Sequence, residues 1–160
     1  VTPSTARRIG TTLAAGAALL TFSVPAARAD LKPWDQGRVT SLAERLADSS
    51  NVLYDTFLKQ PVPGTGSLQA RSYTRLKDRI RRIRQEARQL AGGVRKGEGR
   101  EQTLNSYQDL MQQVRSARED AQKVFTGSDV ADKAADARAV LNELGPYYDP
   151  SFQALEPPKR

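Results

Sequence analysis

The sequence predicts an all-α protein: an antiparallel up-down four-helix bundle with an extended Pro/aromatic C-terminal tail. Three observations carry this expectation. Four segments repeat apolar residues at steps of three and four, the period of one helix face. Glycine and proline clusters separate those segments. No stretch alternates apolar and polar residues as a half-buried strand does.

The first helix is expected from about Asp35 to Lys59, with Val39, Leu42, Leu46, Leu53 and Phe57 on its apolar face. Ser49 and Ser50 interrupt that face with one polar layer, Asp35 suits an N-cap, and Trp34 suits a hydrophobic staple. Pro61 to Ser67 holds two prolines and two glycines and stops the helix. Gly64-Thr65-Gly66 is no phosphate loop, because it follows a helix and lacks the Lys-Ser/Thr pair.

The second helix is expected from Leu68 to Ala91, with Tyr73, Leu76, Ile80, Ile83, Ala87 and Leu90 as a regular seam ended by Gly92-Gly93. The third is expected from Arg100 to Phe125, its seam formed by Leu104, Tyr107, Met111, Val114, Ala121 and Phe125 and broadened by Leu110, Ala117 and Val124, with Arg118 in one seam slot. The fourth starts at Ser128 or Asp129, either a suitable N-cap, and carries Val130, Ala134, Ala137, Leu141 and Leu144 to a stop at Gly145-Pro146. The tail, 146–160, holds four prolines with Tyr147, Tyr148 and Phe152. It either straps across the bundle or serves as a free recognition segment.

Residues 1–29 read as a cleavable export signal. Arg7-Arg8 forms a positive start, Ile9 to Val24 an Ala/Leu-rich run too short and too interrupted to span a bilayer, and Ala27-Arg28-Ala29 an A-x-A cleavage pattern. The arginine pair invites twin-arginine export, but strong apolar residues do not follow it, so the general secretory route is favoured. No Cys follows the run to accept a lipid anchor. The first residue is Val, as a literal reading of a bacterial GTG start codon would give. The expected location is periplasmic or secreted, with one bundle domain over 30–145.

The 160 residues include 25 Lys and Arg against 18 Asp and Glu, a formal charge of +7. Without Arg7, Arg8 and Arg28 the basic count becomes 22, so the mature chain carries about +4. There is no Cys and no His. That excludes disulfides, thiol nucleophiles, Cys/His zinc sites, His-ligated haem and catalytic triads built on His. No cofactor or metal is expected, and no enzyme. A hydrolase would need two convergent carboxylates in a cleft, whereas Glu98 and Glu101 suit the start of a helix and Glu119 and Asp120 point apart.

The most distinctive feature is the second helix. Eight basic residues, seven of them Arg, lie between Arg71 and Arg88, against Asp78 and Glu86. At 100° per residue, Arg71, Arg75, Arg79 and Arg82 share one side of its polar face, with Lys77, Arg84 and Arg88 on the other flank. Guanidinium groups in a row suit bidentate recognition of phosphate or carboxylate. The competing explanation is internal pairing with acids on neighbouring helices and along the helix itself, as Asp78–Arg82 at i,i+4 would allow.

Nucleic acid is not the expected partner, since no aromatics interleave with the Arg stripe. The expected function is non-catalytic binding or scaffolding through Arg71, Arg75, Arg79 and Arg82. The partner would be an acidic protein surface or an anionic envelope component, with weak membrane-surface association as a further expectation. The alternatives are a structural accessory subunit and, less favoured, a carboxylate-dependent hydrolase.

Overall fold

The computed structural model describes residues 31–64 and 68–157. The signal expected at 1–29 and the last three residues of the tail lie outside them. Among the described residues there are four α-helices and no strand: α1 (Gln36–Leu58), α2 (Leu68–Arg95), α3 (Arg100–Ala121) and α4 (Ser128–Leu144), followed by a 3₁₀ turn at Gly145–Tyr147. α1 packs against α2 and α4, and α2 also packs against α3.

The apolar seams form one core. Val39, Leu42, Leu46 and Phe57 of α1 meet Leu76, Ile80, Ala87 and Leu90 of α2, Leu110 of α3, and Val140, Leu141 and Leu144 of α4, all buried. Asp35 caps α1 as its spacing requires, its carboxylate accepting from the Arg38 N–H at 2.9 Å. The serine layer in α1 is real: Ser50 is fully buried and its hydroxyl has no hydrogen-bond partner. Trp34 packs its ring edge-on to Tyr148 at 5.5 Å.

Three boundaries differ from the sequence reading. α2 passes through Gly92-Gly93 and ends only at Arg95. Burial of Val94 offsets the weak helix propensity of the glycines, and a side chain at Gly93 would collide with Glu98 and crowd Thr103. The stop is Gly97, at φ 89°, with Glu98 N–H bonded to Gly93 O and Gly97 N–H to Val94 O, a Schellman closure. α4 begins without a side-chain cap: Gly127 is the N-cap, and Ser128 and Asp129 lie in the first turn. Its far end is not a left-handed glycine either. Gly145 stays right-handed, and its missing side chain leaves the space that the Phe152 ring fills.

The third difference is the end of α3. The helix stops at Ala121, and the chain then tightens, with Lys123 N–H bonded to Asp120 O and Val124 N–H to Ala121 O. Three residues per turn in place of 3.6 changes the phase of the side chains. Val124 therefore turns inward, while Phe125, expected on the seam, is 97% exposed. Arg118 is likewise exposed, because Ala117 and Asp120 take the inward positions. At 100° per residue, the inward-facing positions Tyr107 and Asp120 lie about 140° apart around α3.

Side-chain ties locate the helix ends. Gln36 at the start of α1 donates to the carbonyls of Val94 in the last turn of α2 (2.6 Å) and of Glu98 just past it (3.3 Å). Arg38 donates to Glu143 near the end of α4 (2.6 Å). Arg100, opening α3, donates to the Tyr147 carbonyl and the Lys32 carbonyl, each at 2.7 Å. At the opposite end, Phe57 stacks on Tyr73 at 4.8 Å, and the Gly127 N–H donates to Gln60 Oε1 at 3.0 Å. Beyond α4, Tyr147 and Tyr148 are buried, and Leu155 exchanges backbone hydrogen bonds with the Asn142 side chain.

Candidate functional site

The buried seam of α2 places Arg71, Arg75, Arg79 and Arg82 within about 80° of one another on its flank. Arg75, Arg79 and Arg82, together with Asp78, line a shallow surface concavity of about 200 Å³; Arg71 lies outside it. The flank faces α3. Nε of Arg75 and of Arg79 lie 3.5 and 4.0 Å from the two oxygens of Asp120, and Arg79 Nη1 donates to Gln113 Oε1 at 3.0 Å. Arg75 Nη2 donates to Ser72 Oγ at 3.1 Å.

Those two ion pairs are loose. At 3.5 and 4.0 Å they hold charge near charge without the tight two-point fork of an Arg–carboxylate pair. Asp120, whose side chain is 12% exposed, compensates part of the positive charge and leaves much of it facing water. Arg71 and Arg82 are exposed and form no ion pair with the described residues. Asp78 pairs with Arg81 at 3.3 Å and not with Arg82, so it neutralises a guanidinium outside the set of four. Four arginines against Asp120 leave a surplus of about three positive charges over three turns of helix.

Asp120 was not legible as a partner. The sequence puts it beside Glu119 and suggests only that the two diverge, which they do: Glu119 is exposed and Asp120 buried. Its i,i+3 spacing from the inward-facing Ala117 is the signal that could have found it. The other flank of α2 has a structural use. The Arg84 guanidinium covers the Tyr54 ring at 4.1 Å, with its Nε buried and unpartnered.

A second, open concavity of about 390 Å³ lies between α1 and α4, bordered by Arg45, Asp48, Ser49, Asp136, Ala139 and Val140. Its two carboxylates, Asp48 and Asp136, are exposed. Among the described residues no cluster of three or more acids is arranged to hold a metal, and no helix is long and apolar enough to cross a membrane.

The groups whose proton affinity is displaced are tyrosines far from the arginines. Burial, aided by the nearby Asp149 charge, raises the Tyr107 phenol well above its ordinary value, although Arg115 opposes this. Burial also raises Tyr148, against a hydrogen bond from Thr103 and the Arg100 charge. No family model, curated protein or solved structure matches the chain.

Proposed function

We propose that this is an exported, non-catalytic binding module: an antiparallel up-down four-helix bundle, with residues 146–160 as a strap, that presents Arg71, Arg75, Arg79 and Arg82 to an acidic partner. The partner is an acidic protein surface or an anionic envelope component. The up-down reading draws support from the ties between helix starts and ends, Gln36 to Val94, Arg38 to Glu143 and Gln60 to Gly127. The strap reading draws support from buried Tyr147 and Tyr148 and from the Asn142–Leu155 bonds. Export rests on the pattern at 1–29 alone.

The observation that carries the binding reading is the surplus of positive charge around the Arg75–Arg79–Arg82 concavity, where Asp120 meets Arg75 and Arg79 only at long range and Asp78, on the rim, pairs with Arg81 outside the set. Asp120 also favours a second reading, in which the stripe is a packing device of a structural subunit. The two separate on a polyphosphate column. Binding predicts retention that salt abolishes, loss of retention when all four arginines become Gln, and stronger retention in Asp120→Asn, which frees Arg75 and Arg79. The packing reading predicts weak retention that the quadruple substitution leaves unchanged, together with a fall in stability. Circular dichroism on each variant separates lost binding from lost structure.

A further inference from the structure

At the end of the molecule where α1 and α3 finish and α2 and α4 begin, the chain leaves large apolar side chains in water. Phe125 is 97% exposed, Val62 71% and Leu58 47%. The tightened turn after Ala121 puts Phe125 outside by burying Val124 in its place. The loops that carry these side chains are held together. Gly127 N–H donates to Gln60 Oε1, and a Cβ at Gly127 would lie 2.9 Å from that oxygen, so the glycine permits the approach.

Residues 59–64 and 122–127 contain two charged side chains, Lys59 and Lys123; both are exposed, Lys59 directly after Leu58 and Lys123 two residues before Phe125. Of the exposed acids nearest in sequence, Asp55 and Glu119 lie on the helices before the loops, and Asp129 lies in the first turn of α4. Arg71, on the first turn of α2, adds a further exposed cation at this end.

We propose that this end docks on an anionic lipid bilayer, with Phe125, Val62 and Leu58 entering the boundary between headgroups and acyl chains and Lys59 and Lys123 meeting lipid phosphates. Three side chains, one ending α1 and two on loops, fall far short of the roughly 800 Å² per partner that a stable protein interface buries. A bilayer needs no such area from each contact, because single aromatic and aliphatic side chains partition into its interface while neighbouring lysines keep their ammonium groups at headgroup level. The inference goes beyond the arginine concavity and stands even if that face binds nothing.

The chain has no cysteine, so Ser128→Cys and, separately, Lys96→Cys each give one site for a nitroxide in the full-length protein. Ser128 lies three residues from Phe125, and Lys96 lies in the loop after α2 at the opposite end. With vesicles of mixed phosphatidylglycerol and phosphatidylcholine, the label at 128 should become immobile and protected from an aqueous nickel relaxant, while the label at 96 stays in water. Phe125→Ser with Val62→Ser should cut the inserted fraction about ten-fold, and pure phosphatidylcholine should weaken insertion too. A triple variant, Arg75→Gln, Arg79→Gln and Arg82→Gln, which keeps Arg71, should still protect position 128, which separates this end from the concavity. A label at 128 that stays in water overturns the proposal, even if residues 1–29 tether the chain to vesicles. Immobilisation of that label without lipid, with spin–spin broadening between copies, also overturns it in favour of a second copy of the chain.

Discussion

Around Gln36, Val94, Arg100 and Glu143, polar side chains bind segments that lie outside the α-helices. The Arg100 guanidinium holds the Lys32 and Tyr147 carbonyls and lies over the Trp34 ring, while the Lys32 N–H donates to the Pro146 carbonyl. Beneath this clasp, Tyr148 stacks on Tyr107 at 4.3 Å and hydrogen-bonds to Thr103 at 2.9 Å. Elsewhere, one side-chain hydrogen bond among the described residues, between Gln60 and Gly127, joins the two loops, and Val62 and Phe125 face outward. One short helical core thus finishes in two ways. Where entering and leaving segments must be held, buried aromatics and carbonyl-directed cations do it; where nothing must be held, the loops are free to present side chains to something else.

The largest test of this contrast removes the stacked tyrosine. Tyr148→Ala takes away the ring against Tyr107 and the bond to Thr103, and should cost about 3 kcal/mol or more in urea unfolding. Hydrogen exchange should rise first in residues 32–36 and 145–155, with 58–64 unchanged. Equal loosening at both ends would erase the distinction.

Alkali probes the same end at smaller cost. Burial raises the Tyr107 and Tyr148 phenols, so the folded state keeps protons that the unfolded chain releases above about pH 10. Their contribution is whole below that pH and is lost as pH rises through it. Stability should therefore fall with increasing slope above about pH 10, and Tyr107→Phe should flatten the fall. Since the Tyr107 hydroxyl is buried without a partner, that substitution should leave neutral-pH stability unchanged or raise it by about 1 kcal/mol. The smallest expected effect is at the other end: Phe125→Ser should alter stability by less than about 0.5 kcal/mol, which urea titration would register as an unmoved midpoint.

Much of the core was readable because helix periodicity reports burial directly. Val39, Leu42, Leu46, Tyr73, Leu76, Ile80 and Ile83 are buried as their spacing requires. The pattern failed where it assumed one unbroken period. Gly92-Gly93 reads locally as a stop, yet Val94 beyond them is a core residue, and the approach of Glu98 and Thr103 accounts for Gly93 alone. Past Ala121 the seam predicts Phe125 inside beside Val124, and a tightened turn, invisible to a 3.6-residue count, keeps Val124 in and turns Phe125 out. At the candidate site, the arginine stripe was plain in the sequence, but its one close acid was not. Asp120 meets Arg75 and Arg79 through the packing of α3 on α2, a relation between helices that no spacing within either contains.

Trp34 gives the clasp an optical consequence. It is the chain's one tryptophan, and it sits with its ring edge to Tyr148 and beneath Arg100. Its indole N–H donates to Gln36 at 2.8 Å. Emission excited at the red edge of the spectrum therefore comes from a single place, and energy absorbed by Tyr148 arrives there from 5.5 Å. A fluorescence melt of this protein records when the clasp lets go, while the end that carries Phe125 stays dark throughout.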